Sequence, residues 1–106
     1  MVQPSEIQDY ARRLGSEFRP RRVILFGSHA YGRPTEDSDV DVLVEMDHAK
    51  PKDGDQAIEI DLRLERSFPL DLIVRRPDEI RRRVALGDPF LKTVLDEGQV
   101  LYERPG

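Results

Sequence analysis

Two apolar runs, separated by a glycine-serine turn and a polar loop, constrain the fold of this chain more than any other feature. The first run, residues 22–26 (RVILF), is short, rich in β-branched side chains and closed by Gly27, which indicates a buried strand. In the second run, residues 39–45, valines occupy every second position, as in a strand with one apolar face. Between them, residues 28–31 suit a helical turn that Gly32 stops. The sequence therefore predicts two strands joined through a tight turn.

The flanking segments show helical and strand patterns in alternation. Residues 5–14 place apolar side chains at helical spacing, with Ser5 and Gln8 as a capping box and Gly15 as the stop. Residues 55–68 alternate with period two, which favours a strand, but their length and their Leu, Glu and Arg content suit a helix. The rest predicts a strand, two short helices and a last strand, at residues 70–74, 77–86, 88–97 and 99–103. This order predicts an α/β domain with a small sheet.

Length and composition restrict the class of protein. The chain has 106 residues, which suits a single domain over residues 1–106 with a modest core. Its formal net charge is -4 and its pI is about 5.2, which argues against a general nucleic-acid binder. It has no cysteine, no secretory leader pattern and no apolar run near the roughly 20 residues that span a bilayer. We therefore expect a soluble cytoplasmic protein without membrane contact.

A pair of aspartates at the start of the second run is the first candidate for chemistry. Asp39 and Asp41 are two residues apart, so on a strand they face the same way, about 7 Å apart. Hard carboxylate oxygens suit Mg²⁺, which keeps waters and accepts phosphates as further ligands. Asp71, in the predicted strand 70–74, adds a third carboxylate if that strand lies alongside. Three close carboxylates repel one another and need a cation, and two divalent ions there could activate a hydroxyl and stabilise a leaving pyrophosphate.

The turn before this pair is a candidate phosphate site. Gly27 lets the backbone approach a ligand without a Cβ in the way. Ser28 supplies a hydroxyl at the start of a helical turn, where free N–H groups attract anions. Phosphates held at the turn could present their α-phosphorus to metal at the aspartate pair.

Two other motifs are excluded by the residues present. An EF-hand calcium loop starting at Asp37 would need Gly and Glu where Val42 and His48 stand. A P-loop would need Lys and Ser/Thr where Arg33 and a proline follow the second glycine. Neither a calcium loop nor a P-loop NTPase therefore explains the stretch.

The polar residues follow one pattern along the chain: Gly27-Ser28, then Ala30 and Gly32, then Ser38-Asp39-Val40-Asp41, with Asp71 on a later strand. This pattern resembles the minimal nucleotidyltransferase (MNT) family, within the DNA polymerase β-like nucleotidyltransferase superfamily, and the resemblance covers nearly the whole chain. It implies a nucleotidyltransferase fold, an α/β architecture with helices packed on a small mixed β-sheet, and it favours a helix over residues 55–68. It also implies ATP as the donor and Mg²⁺, as two ions, as the cofactor.

The family's residue roles transfer by position. Asp39 and Asp41 would bind metal, and Asp71 would complete the metal site and help to deprotonate the acceptor hydroxyl. The nucleotide-binding residues that the resemblance implies are Gly27, Ser28, Arg33 and Ser38. Tyr31 is a departure, because the family's turn often has Arg there, and Arg33 is the candidate to replace that charge.

The resemblance also implies a partner and a biological role. Many such proteins are antitoxins encoded beside a HEPN-domain ribonuclease toxin, and they silence it by transferring AMP to one of its tyrosines. The small size of the chain independently favours an acceptor that arrives on a partner protein. Two alternatives remain open. One is a non-catalytic binding module that masks its partner, motivated by Tyr31 and by Asp61 and Glu65 on an otherwise apolar element; the other is a small-molecule nucleotidyltransferase of the aminoglycoside-modifying kind.

Overall fold

The structure is a computed structural model that describes residues 1–106. Its elements in chain order are α1 (Pro4–Phe18), β1 (Arg22–Phe26), α2 (Ser28–Tyr31), β2 (Val40–Glu45), α3 (Asp53–Arg63), β3 (Leu70–Arg75), α4 (Pro77–Ala85), α5 (Pro89–Glu97) and β4 (Gln99–Glu103). The two proline-led helices and the final strand are as predicted. The ambiguous segment is helical as predicted only as far as Arg63: the backbone is extended at Leu64, so residues 64–68 are not part of the helix. None of the helices combines the length and the apolar character that crossing a bilayer requires.

The four strands form one mixed sheet in the order β3-β2-β1-β4. β1 is antiparallel to both β2 and β4, whereas β2 and β3 are parallel and are connected through α3. The expected fold class, a small mixed sheet with helices packed on it, is therefore confirmed. β3 and β4 are the edge strands, and β1 and β2 form the centre.

Both faces of the sheet are covered by helices. On one face, which we name the α1–α3 face, valines and leucines of the strands pack against Leu14 of α1, Ile60 of α3 and their neighbours. On the opposite, α4–α5 face, Ile24 and Leu43 pack against Ile80 of α4 and against α5. The prediction that the strand over residues 39–45 has one apolar face was therefore wrong. Leu43 is 0% exposed because α4 and α5 fold back over the side that the sequence pattern marks as polar.

The ends of α1 differ from the prediction. The helix begins at Pro4, and the Glu6 carboxylate accepts the backbone N–H of Gln3 at 2.7 Å, so Ser5 and Gln8 do not form the capping box. The helix also continues through Gly15 to Phe18, and Arg19 then adopts a left-handed conformation with φ of 50°. Gly15 instead permits close packing, because a Cβ there would overlap the ring of Tyr102 in β4.

The start of α5 shows how a single side chain fixes an element. The Asp88 carboxylate accepts a hydrogen bond from the N–H of Leu91 at 3.1 Å, as its predicted capping role requires. It also accepts a hydrogen bond from Nε–H of Arg83 at 2.8 Å. The hydrogen bond from Arg83, followed by that from Leu91, lowers the pKa of Asp88. The α4–α5 turn is therefore held by one ionised carboxylate that bonds to both helices.

Candidate active site

The register of β2 and β3 brings the predicted carboxylates together. Asp41 of β2 is paired directly with Asp71 of β3, so the two side chains leave the same face of strands that lie about 4.8 Å apart. Asp39 immediately precedes β2 and lies two residues before Asp41. The condition attached to Asp71, that its strand lies beside that of the aspartate pair, is therefore met.

The carboxylates continue the α4–α5 face beyond the helices that cover it. Asp41 is paired on its other side with Phe26 of β1, which belongs to the core of that face. Asp41 is half-buried, whereas Asp39 and Asp71 are exposed. The apolar core of this face is thus followed, at one end of the strands, by an open carboxylate surface.

The charges on this surface oppose one another. Burial is the main cause that raises the pKa of Asp41, and the charges of Asp71 and Asp39 raise it further, while His29 acts in the opposite direction. A bound cation would relieve both the desolvation and the repulsion. The donor set, carboxylate oxygens only, suits Mg²⁺.

The carboxylates nevertheless do not form a closed metal cage. The structure contains no group of three or more His, Cys, Asp or Glu side chains arranged to hold a metal ion by themselves. The predicted three-aspartate ligand set is therefore not preassembled. This arrangement remains compatible with Mg²⁺, which is usually bound through one or two carboxylates together with waters and substrate phosphates.

Both the turn and the Asp41 carboxylate require a glycine at position 27. Its φ is 75° and its ψ is -160°, a conformation that L side chains rarely adopt. A Cβ at this position would overlap Oδ2 of Asp41 and stand 3.1 Å from its Cγ. The sequence argument explained Gly27 by the approach of a ligand, whereas the structure shows a second reason, the approach of Asp41.

The turn that follows presents backbone donors to the same end of the sheet. Ser28 is the first residue of α2, and the N–H groups of Ala30 and Tyr31 bond to the carbonyl of Gly27 at 3.0 and 3.1 Å. The first N–H groups of a helix have no acceptor within the helix. The N–H groups of Ser28 and His29, which precede these two bonded groups, are therefore the donors that the turn can offer to a phosphate beside the carboxylates.

The remaining predicted nucleotide contacts differ in their availability. The hydroxyl of Ser38 accepts the N–H of Thr35 at 2.9 Å and so closes the loop before β2. Arg33 is exposed and makes no ion pair, and Tyr31 is 42% exposed at the end of α2. Their roles stay predictions. The structure adds His29, whose Nε2 lies 3.3 Å from the carbonyl of Ser38 and joins α2 to the loop.

Comparisons with known proteins identify the family of this chain. Residues 5–101 match the family model described as "Nucleotidyltransferase domain". The chain belongs to this nucleotidyltransferase family, as its resemblance to the minimal nucleotidyltransferases implied, and the protein is a nucleotidyltransferase.

Two similar proteins are of nearly the same length as this chain. "Putative protein adenylyltransferase MJ0604" of Methanocaldococcus jannaschii is 33% identical over 106 residues, which cover 96% of this chain and 100% of the relative. "Putative protein adenylyltransferase MJ1379" of the same organism is 29% identical over 99 residues, covering 88% and 91%. A crystal structure described as that of "a putative nucleotidyltransferase from Sulfolobus solfataricus" has a TM-score of 0.64 at 22% identity, covering 94% of this chain and 79% of the other, and supports the fold alone.

Proposed function

We propose that this chain is a Mg²⁺-dependent protein adenylyltransferase, which transfers AMP from ATP to a hydroxyl of a partner protein. The observation that supports it most directly is the pairing of Asp41 with Asp71. The pair lies beside the Gly27 turn, where a Cβ would overlap the Asp41 carboxylate. The two archaeal relatives are named as protein adenylyltransferases, and this chain covers nine-tenths or more of each. The proposal extends that description to this chain.

The transfer step uses groups that lie in sequence across the sheet. The acceptor oxygen attacks the α-phosphorus of ATP and forms a new P–O bond, while the bond to the oxygen that bridges to the β-phosphorus breaks and pyrophosphate leaves. The proton of the acceptor hydroxyl passes to the carboxylate of Asp71, which is exposed and reachable. Asp39 and Asp41 would hold Mg²⁺, which neutralises charge on the phosphates.

The order of the strands assigns a side to each participant. β1, β2 and β3 are consecutive in the sheet, and Gly27, Asp41 and Asp71 belong to the same end of these strands. The attacking and leaving oxygens of phosphoryl transfer are roughly in line. With pyrophosphate over the Gly27 turn and the α-phosphorus at Asp41, the acceptor therefore approaches from the β3 side, at Asp71.

The finer proposal concerns the acceptor. We infer that it is a tyrosine of a HEPN-type toxin encoded by an adjacent gene, and that the chain acts as the antitoxin in the cytoplasm. The open carboxylate surface supports a protein acceptor, because a folded partner can present a side chain there without entering a closed pocket. The formal net charge of -4 favours a protein over a nucleic-acid acceptor.

The test is intact-mass analysis of the co-expressed adjacent gene product, with and without ATP and Mg²⁺. The wild-type chain should add the mass of AMP to the partner, and addition should require both ATP and the metal. The Asp39→Asn, Asp41→Asn double variant should add none. Asp37→Asn, a change in the exposed loop just before the pair, is the matched control and should retain transfer.

Other outcomes identify the alternatives. A double variant that still neutralises its partner, with no AMP added by the wild type, would establish a non-catalytic masking module. Transfer of AMP to an aminoglycoside without any partner would establish a small-molecule nucleotidyltransferase. Transfer to the partner by the double variant would contradict the roles proposed for Asp39 and Asp41.

A further inference from the structure

Of the two edge strands of the sheet, β3 is the one that the fold leaves open. Its pairing with β2 runs through all six residues, Leu70–Arg75, without a register shift. Four of these residues are apolar, yet only Val74 is buried. In β4, by contrast, a register shift interrupts the pairing with β1, and Gln8 of α1 donates to the carbonyl of Leu101 at 2.9 Å. Proteins usually protect edge strands by such irregularities, because a regular open edge pairs readily with another strand.

The hydrogen bonds to β2 show which backbone groups of β3 face outward. The carbonyl of Pro69 accepts the N–H of Val40 at 2.9 Å, and that of Arg75 accepts the N–H of Met46 at 3.0 Å. Because backbone groups alternate between the two sides of a strand, the odd-numbered residues of β3 bond to β2 and the even-numbered ones face outward. These outward residues are Leu70, Leu72 and Val74. No strand lies on that side to receive their N–H and C=O groups.

The two charged residues of β3, Asp71 and Arg75, accompany this open edge. They lie four residues apart on the strand, so both face the α4–α5 side of the sheet. Nη1 of Arg75 donates to the outward carbonyl of Val74 at 2.7 Å, which places its guanidinium at the edge. The pKa of Glu79 is lowered mainly by its hydrogen bond from Arg82, and least by the charge of Arg75. Arg75 therefore keeps donors that a strand arriving at this edge can use.

A second copy of β3 fits this edge in an antiparallel pairing about a two-fold axis. Such a pairing closes on itself, and residues equally far from the axis lie opposite each other. The hydrogen-bonded pairs must join outward residues, so the axis passes through a residue and not between two residues. With the axis at Ile73, Leu72 of each copy bonds to Val74 of the other. Asp71 of each copy then lies opposite Arg75 of the other.

Charge selects this register among those that the alternation allows. An axis at Asp71 places two like charges opposite each other. An axis at Leu72 places Asp71 opposite Ile73, and an axis at Val74 places Arg75 opposite Ile73. Only the axis at Ile73 pairs opposite charges, and it does so at both ends of the ladder. The paired residues are of the closely spaced kind, with Cα atoms about 4.5 Å apart, so the two side chains reach each other.

The same pairing relieves two further features of the monomer. Asp71 is paired with Asp41 on its own sheet, and a guanidinium beside Asp71 reduces the repulsion between these carboxylates. Ile73 on the α4–α5 face and Leu72 on the α1–α3 face are only half-buried, and each meets an apolar residue of the second copy. Backbone groups, apolar surface and charge are therefore all complemented by the same partner strand.

We propose that β3 pairs antiparallel with β3 of a second copy about an axis at Ile73, which joins two four-stranded sheets into one. Asp71 of each copy binds Arg75 of the other. One consequence rests on the proposed function: the acceptor approaches from the β3 side, at Asp71, so the dimer closes that side. The dimer is thus the resting form of the enzyme, and the acceptor protein competes with the second copy for the edge of β3.

Charge-reversed variants test the dimer by sedimentation velocity. The wild-type chain should sediment as a dimer in chelator-containing buffer at low salt. Asp71→Arg and Arg75→Asp should each dimerise at least about tenfold more weakly, because each change turns two attractive pairs into two repulsive ones. An equimolar mixture of the two variants should form a heterodimer, since an aspartate and an arginine then face each other in both pairs.

Matched controls change the same charges away from β3. Asp37→Arg lies in the exposed loop before β2 and Arg81→Asp on an exposed position of α4, so both variants should dimerise as the wild type does. Circular dichroism checks that every variant is folded. A wild type that stays monomeric at its highest soluble concentration overturns the proposal. Charge-reversed variants that dimerise normally, or that fail to combine when mixed, overturn it too.

AMP transfer separates the closed dimer from the function on which this role rests. At a fixed amount of acceptor protein, the wild-type rate per chain should fall as the chain concentration rises through the dimerisation range. The rate per chain of Arg75→Asp should not fall. A wild-type rate that is independent of chain concentration would overturn the closed state even where the dimer forms. Absence of AMP on the acceptor would contradict the proposed function, whereas sedimentation still decides whether β3 pairs with β3.

Discussion

Gly27 combines two constraints at one residue, a positive φ and contact with a charged side chain. Alanine at this position would be strained by the φ of 75° and would displace the Asp41 carboxylate. We predict that Gly27→Ala lowers the free energy of unfolding by about 1–3 kcal/mol, as is typical of such backbone strain. We also predict a loss of AMP transfer of about 100-fold, because small misplacements of reacting groups are that costly.

Gly32 provides the matched control for that prediction. Its φ is also positive, at 80°, but a Cβ there would have nothing within 4 Å. Gly32→Ala should therefore show the backbone strain without the loss of transfer. Chemical denaturation and the rate of AMP transfer measure the two effects separately. If both variants lost transfer equally, displacement of Asp41 would not be the cause.

Asp41 is expected to make the metal-free protein less stable at neutral pH. Burial, followed by Asp71 and Asp39, raises its pKa in the folded state. An acid whose folded-state pKa is raised holds its proton more tightly when folded. Its destabilising effect is therefore absent below the unfolded-state pKa and complete above the folded-state pKa. Asp41→Asn should thus raise Tm at neutral pH while abolishing AMP transfer.

The pH dependence of Tm tests whether loss of the Asp41 charge causes the higher Tm of Asp41→Asn. The difference in Tm between Asp41→Asn and the wild type should narrow as pH falls through the window between the two pKa values of Asp41. Tm is measured in chelator-containing buffer from neutral to acidic pH, with Asp37→Asn as the exposed control. A difference that stays constant with pH would assign the gain to packing instead of charge.

At the scale of elements, two glycines within helices should respond oppositely to alanine. Gly15 of α1 faces the ring of Tyr102 in β4, so the added Cβ forces β4 or its tyrosine to move. Gly54 lies in the first turn of α3 with nothing within 4 Å of an added Cβ. We predict that Gly54→Ala stabilises the protein by about 0.5 kcal/mol through helix propensity, whereas Gly15→Ala destabilises it. Urea denaturation measures both, and a stabilising Gly15→Ala would contradict the close α1–β4 packing.

Local patterns predicted the elements well where one residue type dominates the energetics. The proline-led starts of α4 and α5 and the Asp88 cap follow from backbone chemistry within a few residues, so the sequence was sufficient. Gly15 misled because helical glycines also serve close packing, and the partner, Tyr102, is 87 residues away in the sequence. The burial of Leu43 was missed for a similar reason, since α4 and α5 cover it from a distant part of the chain.

In the candidate site, too, features set by residues close in sequence were predictable, and features set by distant strands were not. The spacing of Asp39 and Asp41 indicated a shared face, because residues two apart on a strand point the same way. The approach of Asp71 depended on which strands are neighbours, so the sequence stated it only as a condition. The contact between Gly27 and Asp41 depends on the register between β1 and β2. Registers are set by long-range packing and were outside the reach of local patterns.

For the molecule as a whole, the two faces of the sheet differ in composition. The α1–α3 face is continuous apolar core. The α4–α5 face changes along its length, from the ion pair of Arg22 with Glu45 at one end, through apolar core, to the carboxylates at the other. The residues proposed for transfer therefore extend from strands whose central parts are fixed by packing on both sides. Rigid strands of this kind hold reacting groups more accurately than loops do.

This arrangement makes the stability of the site depend on the core of the α4–α5 face. Leu43, 0% exposed, lies two residues after Asp41 on that face, and its truncation leaves a cavity under α4 and α5. We predict that Leu43→Ala lowers the free energy of unfolding by about 2–5 kcal/mol, a large part of the roughly 5–15 kcal/mol of a typical domain. Leu86→Ala is the control: Leu86 is 74% exposed, so its truncation should cost about 0.5 kcal/mol or less.

Ligand binding should partly reverse the effect of Leu43→Ala. On the proposed function, ATP with Mg²⁺ binds the folded chain and not the unfolded one, so adding both should raise Tm. Leu43→Ala should therefore gain Tm on adding ATP and Mg²⁺, as the wild type does, and an Asp39→Asn, Asp41→Asn protein should not. Urea denaturation with an unchanged m-value would show that both faces unfold together. A smaller m-value for Leu43→Ala would instead mean that the α4–α5 layer separates from the sheet before the rest of the chain unfolds.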